Sequence, residues 1–178
     1  MMRSVNKFGL VAFIVLLLSG AAFFFLKKEL PKLYINEFMA NNTACCPDGT
    51  ASNPEFDDWI EIYNAGDIAV NLGGMYFSQN KKKPLKHLVP QSNPALTTIP
   101  PGGYLLIWAD GDASQGILHL NFKLDQDGEF LGFYNKDGRK IDSYKFGKQL
   151  PNVSFGREKD GAASWKDFSK PTPSATNN

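Results

Sequence analysis

Histidine and cysteine are scarce: the chain of 178 residues has two of each. A structural zinc centre takes about four Cys or His ligands in a tetrahedron. Cys45 and Cys46 are adjacent, so they cannot close one without distant partners, and no metal is expected. His87 lies beside Lys86, and His119 lies in an apolar LHLNF run. Both read as packing or surface residues. There is no G-x-S-x-G, no P-loop and no G-x-G-x-x-G, so no nucleophile elbow, phosphate cradle or dinucleotide fingerprint is present. No cofactor is expected. Strong charge of one sign is also missing. The formal net charge is +1, and beyond residue 32 there are 14 Lys and Arg against 17 Asp and Glu. Such a surface does not favour nucleic acid. After residue 32 no stretch of about 12 residues carries helical periodicity, which excludes parallel α/β folds for want of crossover helices.

Residues 8–26 read FGLVAFIVLLLSGAAFFFL, without a charge. A helix of that length crosses a hydrocarbon core of about 30 Å. Two readings compete. The first is one N-terminal transmembrane helix, contacting the lipid bilayer through residues 8–26. The second is a signal peptide cleaved near Ser19 to Ala22, giving a secreted domain. The run continues through Phe23 to Leu26, past the usual length of a signal core, which favours the anchor. Residues 1–7 then form an N-terminal tail and residues 27–32 a linker with Pro31. Arg3 and Lys7 place the tail in the cytoplasm, although Lys27, Lys28 and Lys32 oppose that orientation. The domain is expected outside the cytoplasm.

From residue 33 the pattern is β. Short runs rich in aromatic and branched residues alternate with Gly, Pro, Asn and Asp clusters. Strands are predicted at 33–38, 58–64, 69–72, 75–78, 86–89, 104–109, 129–135 and 141–146, with a further candidate at 153–156. In DWIEIYN, Ile60 and Ile62 share one face. Asp137-Gly138 is a two-residue hairpin signal. Seven or more short strands in this span point to an all-β sandwich over 33–168. Residues 169–178 are read as C-terminal coil.

The order INEFMANN, DWIEIYN, VNLGGMYFS, IPPGGYLLIWAD, LNFKLDQDGEFLGFYN, GRKIDSYKF, VSFGRE and PTPSATN resembles the lamin tail domain family, in particular its bacterial, exported branch. The resemblance covers residues 33–177. It implies an immunoglobulin-like β-sandwich that binds or scaffolds and does not catalyse. No coiled-coil rod accompanies it, so a nuclear filament role does not carry over. It also implies structural roles for Glu37, Asp58, Trp59, Glu61, Asn64, Asn71, Asp142, Gly156 and Arg157. Arg157 is expected to pair with Glu37, Glu61 or Asp142, because a guanidinium forks well onto a carboxylate.

Three features remain outside that pattern. Lys81, Lys82, Lys83 and Lys86 form a basic cluster, read as a solvated hairpin tip or as a patch for an anionic partner. Asp125 to Glu129 resembles the opening of a calcium loop but lacks the rest of one, and reads as a turn. The segment from Asn41 to Asp57 is a variable insertion between two strands. Within it, Asp48, Glu55 and Asp57 are weak calcium candidates. Cys45 and Cys46 read most simply as free thiols, with a disulfide between them as the alternative in an oxidising compartment. The expected function is a non-enzymatic, membrane-anchored interaction domain with a protein partner. The alternatives are an accessory subunit of an envelope or enzyme complex, or a carbohydrate- or cell-wall-binding sandwich built on Tyr76, Tyr134 or Trp165.

Overall fold

A computed structural model describes residues 29–48 and 52–178. The helix expected over 8–26 lies outside them. Among the described residues no helix is long and apolar enough to cross a membrane.

The described chain is all-β apart from one helical turn. The strands are β1 (Leu33–Met39), β2 (Trp59–Asn64), β3 (Val70–Asn71), β4 (Tyr76–Ser78), β5 (His87–Leu88), β6 (Thr98–Ile99), β7 (Tyr104–Trp108), β8 (Phe130–Tyr134), β9 (Lys140–Lys145), β10 (Ser154–Arg157) and β11 (Trp165–Phe168), with α1 (Pro94–Thr97) before β6. One sheet runs β11-β10-β1-β2-β7 and a second runs β5-β4-β8-β9; β3 and β6 form a short pair. All named strand pairs are antiparallel. The predicted strands have counterparts here. Two strands and the helical turn were not anticipated. Thr98–Ile99 is too short to show a period, and WKDF (165–168) has Lys and Asp where a strand signal needs apolar residues.

The two larger sheets share one core. Ile35, Phe38, Ile60, Ile62 and Ile107 from the first pack with Phe77, Leu131 and Phe133 from the second, all at most 1% exposed. This arrangement is consistent with an immunoglobulin-like sandwich.

One irregularity decides where the polar residues go. The register of β1 on β2 shifts between Ile35 and Glu37. A strand alternates faces, and one extra residue reverses the alternation. Hence Leu33 and Ile35 before the shift, and Phe38 and Ala40 after it, all join the same core. The two residues left over, Asn36 and Glu37, lie outside that core yet are fully buried.

Candidate functional site

The first polar cluster grows from that bulge. Glu37 stands opposite Glu61 on β2. Both are fully buried. Ser154 and Thr172 Oγ1 donate to Glu37, the latter at 2.6 Å, and the Thr172 backbone N–H adds a bond of 3.1 Å. Glu61 accepts from Asn36 Nδ2 at 2.9 Å and from the Ser174 N–H at 2.6 Å. Burial, ahead of these stabilising bonds, pushes the Glu61 carboxyl up to about 8. Asn177 Nδ2 donates to the Arg157 carbonyl at 2.7 Å. The terminal segment is therefore coil that is fastened down. A Cβ on Gly156, which stands opposite Glu37, would lie 2.9 Å from Glu37 Cγ and 3.0 Å from the Asn36 carbonyl oxygen. Glycine there lets the tail and the glutamate approach.

Arg157 locks the sheets together. Its Nη2 donates to Asp142 Oδ2 at 2.8 Å and its Nε to the Ile35 carbonyl at 2.8 Å. The guanidinium lies 4.9 Å from the ring centroids of Tyr34 and Trp165. Asp142 also accepts from the Ile35 N–H at 2.9 Å, so one carboxylate of β9 joins both β1 and β10. Asn64 and Asn71 serve turns. Asn64 donates to Ile68 O and Ile99 O and accepts from the Gly66 N–H; Asn71 accepts from the Gly73 N–H and Thr97. Trp59 is fully buried.

The second cluster lies in the β1–β2 connection. Asn42 organises it, donating to the Cys45 and Asp57 carbonyls at 2.7 and 2.8 Å and accepting from the Cys45 N–H at 2.9 Å. Cys45 and Cys46 are joined by a disulfide, which replaces the free-thiol reading. Asp48, Glu55 and Asp57 converge. Two residues the sequence did not single out as ligands converge on Asp48 as well: Asp110, just after β7, and His119. His119 Nδ1 is 2.6 Å from Asp110 Oδ2. Burial, and then the charges of Asp48 and Asp110, raise the Asp57 carboxyl above its usual range. The apolar run around His119 predicts a packing or surface residue, and the structure sets its ring against Asp110. Its place follows from a bridge between His119 and Trp108, which closes the loop after β7 and has no signal in the local sequence.

Beside this cluster is a polar cleft of about 580 Å³ that includes Asp58, Lys123, Asp125 and Glu129. Burial pushes Asp58 up to about 6 and Glu129 up to about 7. Asp125 to Glu129 is a turn: Asp125 Oδ1 accepts from the Asp127 N–H at 2.9 Å, and Gly128 has φ +106°. His87 is held in the fold, accepting from the Asn121 N–H at 3.1 Å.

Lys81, Lys82 and Lys83 are exposed on the turn between β4 and β5. Lys86 is drawn back, donating to Gln79 at 2.7 Å and lying 5.1 Å from the Phe122 ring centroid. Leu85 and Leu88 are exposed nearby in sequence, at 49% and 48%.

A family model described as Lamin Tail Domain matches residues 28–148. The chain belongs to the lamin tail domain family. Lamin tail domains are non-catalytic, immunoglobulin-like folds and often protein-interaction modules. Comparison with curated proteins and with solved structures gives no match. The family match ends before β10, so Arg157 and the residues that fasten the tail lie beyond it.

Proposed function

We propose that this lamin tail domain is a non-catalytic binding or scaffolding module, tethered to a membrane by residues 8–26 and displayed outside the cytoplasm. The observation that carries it is the fate of the paired carboxylates. Glu37 and Glu61 face each other across β1 and β2, and both are sealed beneath residues 172–174 by hydrogen bonds. A catalytic pair must reach substrate; this one fastens the chain. The Cys45–Cys46 bond supports an exported address, since disulfides persist in oxidising compartments. The uncharged run of residues 8–26 supports the tether.

The function then resides on the surface, with a protein partner. The exposed lysine turn is the candidate face for an anionic one. Of the aromatics a carbohydrate platform would use, Tyr134 is buried, while Tyr76 and Trp165 are part-exposed, the latter stacked on Tyr144 at 4.1 Å between centroids. A reporter fused to Asn178 tests the address. Activity restricted to the non-cytoplasmic side is expected, and a cytoplasmic reporter contradicts it.

A further inference from the structure

Five metal-ligating side chains from two separate parts of the chain meet beside the disulfide. Asp48, Glu55 and Asp57 come from the β1–β2 connection, and Asp110 and His119 from the connection after β7. One ligand atom from each of Asp48, Asp110 and His119 lies within 4.8 Å of the other two, and the same holds for Asp48, Glu55 and Asp57. Asp48 belongs to both sets.

Asp48 is also the unexplained group. Its side chain is 4% exposed. Both of its carboxylate oxygens are buried and have no hydrogen-bond partner among the described residues. Its contact with His119 Nδ1 is long, 3.8 Å, and that nitrogen is already 2.6 Å from Asp110. A carboxylate removed from water needs donors or a counter-charge. Here its neighbours are three carboxylates and the His119 imidazole, which is engaged by Asp110.

We infer that Asp48, Asp110, Glu55 and Asp57 hold a divalent cation of the calcium class, with His119 orienting Asp110. Calcium sits about 2.3–2.6 Å from its oxygens, so ligand atoms on opposite sides of it are roughly 5 Å apart. Each triad, with its ligand atoms within 4.8 Å of one another, fits that shell, and Asp48 is common to both. A set dominated by carboxylates suits a hard cation, whereas structural zinc favours thiolate and imidazole. The two cysteines are bonded to each other and offer no thiolate. The cation would staple the cysteine loop to the end of β7, and the inference holds whatever the address of the domain.

The test uses the full chain in mild detergent, stripped with a chelator and titrated with calcium chloride up to about 5 mM, the range of weak extracellular sites. Calorimetry should show one site, and the melting temperature should rise. Asp48→Asn should weaken calcium binding by at least about tenfold. Asp127→Asn, in the Asp125 turn, should bind as the parent chain does. Should Asp48→Asn fail to fold by circular dichroism, Glu55→Gln carries the same expectation. Absence of both heat and melting shift, unchanged binding by the foldable loop variants, or binding of zinc without calcium would overturn the inference.

Discussion

Glu61 shows how burial and hydrogen bonding compete at a single residue. Two donors reach its carboxyl, but loss of water is the larger effect and raises it from 4.5 to about 8. The consequence for stability has a definite sign. Below about 4.5 the group is protonated in both folded and unfolded chains. Between about 4.5 and 8 the unfolded chain ionises while the folded chain keeps its proton, so stability falls as pH rises. Asp58 and Glu129, raised to about 6 and 7, add slope of the same sign. The difference between the parent chain and Glu61→Gln isolates one residue. That difference should move against the parent from pH 5 to pH 8 in urea unfolding. A constant difference would mean that Glu61 ionises in the folded chain as it does in the unfolded one.

At the scale of elements, the C-terminal segment behaves as part of the sheet it crosses. Thr172, Ser174 and Asn177 supply donors to Glu37, Glu61 and the Arg157 carbonyl. Removing residues 171–178 leaves two buried carboxylates short of partners. Three hydrogen bonds to these carboxyls are lost, each contributing about 0.5–1.5 kcal/mol, and a chain of this size shifts by roughly 2–4 °C per kcal/mol. The truncated chain should melt about 5–15 °C lower; an unchanged melting temperature would show that the tail contributes nothing. Alternation within 58–64 made β2 legible in the sequence, and short runs of aromatic and branched residues bounded by turn signals did the same for β1 and β7. The bulge at Asn36 was not legible, since INEF reads as a regular strand until its partner's register is known. The same limit applies to the acidic cluster. Three of its members lie in one loop and were readable as a group. Asp110 and His119 join them through folding, across a separation in sequence that no local pattern spans.

The whole molecule divides its labour by position. The shared core and the Arg157–Asp142 pair hold the sheets, and the tail seals Glu37 and Glu61. The cysteine loop and the lysine turn project from this scaffold. A binding module has that organisation, with variable loops carried on a rigid sandwich. The most direct measurement is crosslinking of intact cells carrying the full chain with a membrane-impermeant, lysine-reactive reagent, for which Lys81, Lys82 and Lys83 are exposed targets. The chain is expected at full length in the membrane fraction, covalently joined to a protein partner. A full-length chain left untouched by the reagent, or one found in the soluble fraction, would contradict it.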